Sequence, residues 1–297
     1  MKFQFIADRG DARLRLDQVL ARRVTHVSRL SRSLAQQWIE SGLVVVDGRI
    51  ARRSSTGIRA GVTIEVTPPE GTRHRSKPEP QPAELDVLYE DASLIAVNKP
   101  PGIVVHPSYK QSSGTLLHAL LWRLRDRVGA GPGILTRLDK DTSGLVLVAL
   151  APDVQSAVQR DAAAGRVKKE YLAVVRGVPK PPRGRIELPL ARDPHDRRRV
   201  ITTKDGAASE TRYELVSSTR GMSLLTCQLV TGRTHQIRVH LASRGWPILG
   251  DRVYGEPHSD IARQALHAWR ITLPHPVTRV PLEIEAPLAD DIKRVLT

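Results

Sequence analysis

Gly133-Ile134-Leu135-Thr136-Arg137-Leu138-Asp139-Lys140-Asp141-Thr142-Ser143-Gly144-Leu145-Val146-Leu147-Val148-Ala149 places one polar turn between two apolar runs. The first run carries a single acid, Asp139, into the turn, and the second leaves from Gly144. Such a layout delivers a carboxylate to the rim of a core, with Arg137 beside it. A carboxylate withdrawn from water is costly unless it is paired or has chemistry to do. The segment alone also admits a plainer reading, an Asx-type turn in which Asp139 bonds to nearby backbone.

The 297 residues suffice for two domains and a sizeable core. Hydrophobic residues make up 40% and aromatics only 4%, so aliphatic side chains must fill the interior. The single cysteine, Cys227, excludes an intramolecular disulfide framework and any zinc site built on several cysteines. The first residues are charged too early for a signal peptide, and no apolar run approaches the roughly 18 residues that span a bilayer. A soluble, cytoplasmic protein is expected. Net charge is +15, from 46 Lys+Arg against 31 Asp+Glu, which points to a polyanionic partner, nucleic acid first. Genomic bias toward arginine would instead spread charge evenly. Residues 1–75 hold 14 Lys+Arg against 7 Asp+Glu, a moderate concentration. No long helix shows a Lys/Arg face opposite an aromatic one, which disfavours a membrane-surface binder.

Residues 67–83 carry five prolines without apolar periodicity and read as a linker. Three parts follow: a small module over 1–66, the linker over 67–83, and a larger domain over 84–297. In the first, helices are expected over 15–21 and 31–39, the second capped by Ser31 or Ser33 and ended by Gly42. Val44-Val45-Val46-Asp47-Gly48-Arg49-Ile50 reads as strand, Asp-Gly turn, strand, and 61–66 as another strand. Beyond the linker, strands are expected over 93–99, 170–176, 212–215, 223–230 and 235–241, and helices over 113–127 and 153–164. Strands and helices do not alternate as βαβ units, so the class is α+β with a mixed, mostly antiparallel sheet.

Phosphate-binding and dinucleotide-binding glycine motifs are absent. His235 and His240, five apart on an expected strand, would face opposite ways, against a two-His metal site. No cofactor or metal is expected. The first module, with Arg15-Leu16-Asp17 and its Val44–Gly48 hairpin, resembles the S4-type RNA-binding domain. Arg15, Arg32, Arg49, Arg52 and Arg53 would form its basic surface. The larger domain carries, in order, Val97-Asn98-Lys99-Pro100-Pro101-Gly102, Arg137-Leu138-Asp139 with Thr142-Ser143-Gly144, and Lys169-Glu170-Tyr171. Thr231-Gly232-Arg233-Thr234-His235-Gln236-Ile237-Arg238-Val239-His240, Gly250-Asp251 and Leu266-His267-Ala268 then follow. Their order and spacing closely resemble the RluA-type pseudouridine synthases over about residues 84–290, in the branch acting on large-subunit (23S) ribosomal RNA.

That resemblance implies isomerisation of uridine to pseudouridine in RNA. Asp139 would be the catalytic carboxylate, either attacking C1′ or removing a 2′ proton. Arg233 is carried over as its ionic partner, and Tyr171 as the ring against the uracil. A base in a helix is out of reach, so the target must flip out, with Arg137 taking its place in the stack. Lys99, Thr136 and His267 are further candidate RNA contacts, His267 being equally readable as a packed structural histidine. Two departures from the family pattern stand out: Thr136 replaces a histidine, and Gly206-Ala207 replaces Gly-Lys, which puts one phosphate contact in doubt. The partner is RNA, ribosomal RNA before transfer RNA, free or in pre-ribosomal particles, and a monomer is expected. The rival readings are a tRNA pseudouridine synthase, a non-catalytic RNA-binding or ribosome-assembly protein, and an aspartyl-phosphate enzyme prompted by Asp139-Lys140-Asp141-Thr142.

Overall fold

A computed structural model describes residues 2–8, 10–12, 14–24, 30, 32–69, 78–108, 111–127, 131–196 and 198–297. The chain divides into two compact units, Met1–Lys77 and Pro78–Thr297. Most of the expected linker's first part, 70–77, lies outside the described residues. Gln81 belongs to the second unit: its N–H donates to the His118 carbonyl, and its side-chain oxygen accepts from the Gly114 N–H.

In the first unit, β1 (Phe3–Ile6), α1 (Leu16–Arg23), α2 (Arg32–Glu40), β2 (Val44–Val46), β3 (Arg49–Ile50) and β4 (Thr63–Val66) follow in order. The strands form one antiparallel sheet, β1-β4-β2-β3. Helical spacing in α1 and α2 turns Leu16, Val19, Leu20, Ala35, Trp38 and Ile39 into a shared core with Val44, Ile64 and Val66. The Asp47-Gly48 turn closes the expected hairpin, and Asp47 Oδ1 accepts the Thr63 N–H at 2.8 Å, fastening the turn to β4. Ser33 lies inside α2 rather than at its cap, and Ser31 is outside the described residues.

The second unit contains β5 (Val87–Glu90), β6 (Leu94–Lys99), α3 (Leu116–Arg123), β7 (Gly133–Ile134), β8 (Ser143–Ala149), α4 (Pro152–Ala163), β9 (Lys168–Arg176), β10 (Arg183–Glu187), β11 (Leu190–Arg192) and β12 (Val200–Thr202). After these come β13 (Glu210–Thr219), β14 (Met222–Leu229), α5 (Gln236–Ser243), β15 (Leu266–Pro274), β16 (Pro281–Glu285) and α6 (Asp290–Leu296). A ten-stranded sheet runs β10-β13-β14-β9-β15-β8-β6-β5, with β16 on β15 and β7 on β8, while β11 and β12 form a separate hairpin. Among the described residues its strands pair antiparallel except β15 with β8, so the sheet is mixed and mostly antiparallel and the unit is α+β.

The quoted segment holds the middle of this sheet. Alternation along β6 and β8 sends Ile95, Val97, Val146 and Val148 into a core covered by α3, α5 and α6. It sends Leu94, Ala96, Leu145 and Leu147 into a second core covered by α4. Both faces are buried, which is why these strands read as unbroken apolar runs. Gly144 marks the parallel junction: its φ is +106°, and a Cβ there would lie 2.2 Å from the Ala268 carbonyl oxygen. Only glycine tolerates that approach.

One expected element is overturned. Residues 235–241 do not form a strand. They form most of α5, which puts Ile237 and Leu241 one turn apart on the core. His235 and His240 therefore sit at the cap and in the body of a helix, not on opposite faces of a strand. The expected helix over 113–127 contracts to Leu116–Arg123, and the strand expected at 170 begins at Lys168.

Candidate active site

Between β7 and β8, Leu138 drops into the core, while Arg137 is exposed and Asp139 stands half-buried on a cleft wall. The turn closes through the Thr142 N–H, which donates to the Asp139 carbonyl at 3.2 Å. It is pinned from behind. Arg263 donates to the Asp141 carbonyl and to Ser143 Oγ, Gln264 donates to Thr142 Oγ1, and Ser143 Oγ meets His267 Nδ1 at 2.9 Å. The Asp139 side chain does not make the plainer Asx turn. Its Oδ2 accepts from Arg238 Nη1 at 2.9 Å.

Arg238, on α5, is nearly fully buried and bridges two carboxylates. Its Nε and Nη2 donate to Asp251 at 2.7 and 2.8 Å, a two-pronged pair that fixes the guanidinium plane. Asp251 has no exposure and also accepts the N–H groups of Val253 and Tyr254. Burial alone would raise the Asp251 carboxyl, but the hydrogen bonds and charge of Arg238 outweigh it and hold the acid below its ordinary value. Burial pulls the Arg238 guanidinium down, and the two carboxylates more than reverse this, so it stays charged.

Arg233 is thus not the partner of Asp139. It is exposed in the loop before α5, its Nε 3.4 Å from the Ala208 carbonyl and its N–H on Gln236 Oε1. Placed before the first turn, it cannot point inward as Arg238 does. It lines the cleft mouth instead. Gln236 ties the loop down, accepting from Thr231 and donating to the Glu210 carbonyl and Thr211 Oγ1.

Tyr171 on β9 reaches the same cleft. Burial, with a contribution from the Asp139 charge, pushes its phenol well above the ordinary range, so it keeps its proton. Lys169, two residues earlier and so on the same face, also lines the cleft, its ammonium pulled down by burial. Lys169 precedes Tyr171 in the same motif, and only the alternation of β9 shows that it shares the cleft face. The cleft measures about 520 Å³, of a size that suits a small ligand, with Ile134, Leu229 and Leu266 among its apolar walls and Arg137 and Arg233 beside Asp139.

Two candidate RNA contacts are corrected. Lys99 has no exposure: its ammonium donates to the carbonyls of Pro100, Ile103 and Lys140 at 2.8, 3.0 and 3.0 Å, tying the end of β6 to the Asp139 turn. Burial lowers it to about 8. His267 is fully buried between Ser143 and the Ala286 carbonyl, and burial holds it to about 4, so it is a neutral packing group. Thr136 does line the cleft, but its hydroxyl is turned inward and accepts the Leu147 N–H. Ala207, where the family pattern has lysine, pairs in both directions with the Leu190 backbone. In the first unit Arg49, Arg52 and Arg53 are exposed, Arg52 leaning on the Glu40 carbonyl. Arg15 is exposed too but grips the buried Asp17 with two nitrogens, and Arg32 stands 3.9 Å from the same acid.

Comparison with known proteins places the chain in a family. The RNA pseudouridylate synthase family matches residues 93–243 and the S4 domain matches residues 14–64. The ribosomal large subunit pseudouridine synthase D of Xanthomonas campestris is 38% identical, over 95% of this chain and 88% of its own. An uncharacterised RNA pseudouridine synthase of Bacillus subtilis is 38% identical over 90% of this chain and 88% of its own. The solved human RNA pseudouridylate synthase domain containing 1 superposes with a TM-score of 0.57 at 27% identity, over 69% of this chain and 83% of that one. With the Asp139 turn, the Tyr171 strand and the α5 arginine in one cleft, and an S4 domain earlier in the sequence, the chain belongs to the RluA family of RNA pseudouridine synthases.

Proposed function

We propose that this protein converts uridine to pseudouridine in large-subunit ribosomal RNA, with Asp139 acting at the ribose of a base flipped into the cleft. The reading rests on one observation: a carboxylate held by a buried arginine lines the same cleft as the Tyr171 ring and the exposed Arg137 and Arg233. The reaction breaks C1′–N1 and C5–H and forms C1′–C5 and N1–H, so it is redox-neutral. Two routes give Asp139 its work, attack on C1′ or removal of a 2′ proton, and both need an aimed carboxylate. The Tyr171 ring offers a face for the uracil and a hydroxyl that can donate.

The ribosomal assignment is supported by relatives named large-subunit synthases that align over nearly the whole chain, S4 region included. The exposed arginines of the first unit would grip RNA phosphates and shape. The protein acts as a monomer in the cytoplasm, on free rRNA or on pre-ribosomal particles. Pseudouridine mapping on ribosomal and transfer RNA from cells lacking the gene, complemented with wild type and Asp139→Asn, tests the proposal. Loss of one or a few large-subunit sites, restored only by wild type, is the expected result. Loss confined to tRNA overturns the substrate, and restoration by Asp139→Asn overturns the role of the aspartate.

A further inference from the structure

His235 stands at the start of α5 in a left-handed conformation, φ 54° and ψ 16°. A residue other than glycine rarely adopts this conformation, and strain of this kind gathers where a side chain must be aimed. Its Nε2 lies 3.7 Å from Asp139 Oδ2, the oxygen that Arg238 already holds. Its Nδ1 lies 2.8 Å from the Tyr254 hydroxyl. That hydroxyl accepts the Val200 N–H at 2.7 Å, so its one proton is free for Nδ1. An imidazole that accepts at Nδ1 carries its proton on Nε2. Tyr254 is itself well held: its N–H donates to Asp251, its ring lies 5.1 Å from the Arg238 guanidinium carbon, and it meets the His235 ring edge-on at 5.6 Å.

Resting on the assignment of Asp139 to the chemistry, we propose that Tyr254 and His235 are a positioning pair for this carboxylate. Tyr254 fixes His235 as the Nε2–H tautomer, and that N–H faces Oδ2 of Asp139. Arg238 and His235 then converge on Oδ2 and leave Oδ1 for the ribose. The 3.7 Å separation exceeds a hydrogen bond, and contacts of this kind tighten when substrate closes the site. Among the described residues, the charged groups facing His235 are Asp139, Arg238, Asp251 and Arg192. Burial, the largest influence, lowers the imidazole, and the opposing signs of these neighbours leave it below its ordinary value and neutral.

The test has one arm that needs no turnover. Nitrogen-15 NMR of the histidines, with His235 assigned by its loss in His235→Gln, reads the tautomer and titration of the full-length protein. Wild type should show the Nε2–H form. Tyr254→Phe should lose that bias and titrate higher, because the bond that favours the neutral form is gone. Asp139→Asn should lower the His235 titration by removing a nearby negative charge. In the second arm, single-turnover conversion is followed on rRNA extracted from cells lacking the gene. Tyr254→Phe should slow it about five- to ten-fold, the loss of one hydrogen bond, with RNA affinity within about two-fold. His235→Gln, whose amide can still donate, should retain more than His235→Ala. An Nδ1–H tautomer in wild type, a His235 titration indifferent to Asp139→Asn, or equal rates for Gln and Ala would overturn the pair. No turnover by wild type on that RNA would instead sink free rRNA as the substrate, leaving the NMR arm to decide the pair.

Discussion

Arg238→Met separates what the buried arginine does for the fold from what it does for the reaction. The substitution strands two carboxylates at once: Asp251, with no exposure, and Asp139, whose side chain is 25% exposed. Removing one partner of a buried ion pair costs about 3–5 kcal/mol. For a domain of this size that lowers the melting temperature by on the order of 10 °C. Adding Asp251→Asn removes the stranded charge while keeping an oxygen for the Val253 and Tyr254 N–H groups. The double variant should regain more than half of the lost stability. Activity should not return with it, because Asp139 still lacks its donor. The deficit of the single variant also depends on pH. The depressed Asp251 of wild type contributes stability that is present above its unfolded value, about 4, and is lost as pH falls through the folded value. In Arg238→Met the same acid is raised by burial and protonates sooner, so the gap is widest near neutrality and narrows toward pH 4. Thermal melts at pH 7 and 4, beside single-turnover conversion, read all of this. Turnover recovering together with stability in the double variant would refute the argument, since the arginine would then serve the fold alone.

Three further outcomes follow from named contacts. Lys99→Met should lower thermal stability and slow turnover, because it frees three buried carbonyls, one on the Asp139 turn, while a filter-binding Kd for RNA stays within about two-fold; a purely RNA-binding defect would contradict the burial of this lysine. Arg233→Ala should weaken RNA binding and reduce the slope of affinity against salt by about one, with saturated turnover near wild type, whereas a rate as low as that of Asp139→Asn would restore it as the partner of the carboxylate. Gly144→Ala should fail to give stable soluble protein, since its Cβ would meet the Ala268 backbone at 2.2 Å; a melting temperature near that of wild type would refute the close β8–β15 junction.

Much of the fold could be read from residue patterns, and the misses have physical causes. The hairpin around Asp47-Gly48 and the strands β6 and β8 announce themselves by turn chemistry and apolar runs. The strand β15 does not, although it lies between β8 and β9. Its segment Leu266-His267-Ala268-Trp269-Arg270 mixes buried histidine with half-buried arginine, so neither alternation nor an apolar run marks it. His267 can be buried there only because Ser143 and the Ala286 carbonyl satisfy both ring nitrogens, partners far away in sequence. The strand β1, Phe3-Gln4-Phe5-Ile6, is short and easily passed over, and its register depends on β4, sixty residues on. No local pattern carries such information.

The site divides along the same line. The family resemblance names Asp139 and Tyr171, and the structure brings both to one cleft. The arginine that holds Asp139 is misplaced by the sequence reading, which carries over Arg233: Thr231–His240 offers two, and the choice turns on secondary structure. On a strand, Arg238 would have no reason to sit deep in the unit. On a helix, it shares the buried side with Ile237 and Leu241 and is carried to Asp139, while Arg233 is left outside the first turn. Gly250-Asp251 supplies the second acid, and its burial, visible only in the structure, asks for a cation one layer away. Lys99 teaches the converse. A lysine between an apolar strand and Pro-Pro-Gly looks solvent-bound, yet three carbonyls converge on it because β6 ends against the very turn that presents Asp139. In this fold the residues that aim the carboxylate are the buried charged ones, and burial of charge is what a sequence conceals, because it depends on partners brought together only by the sheet.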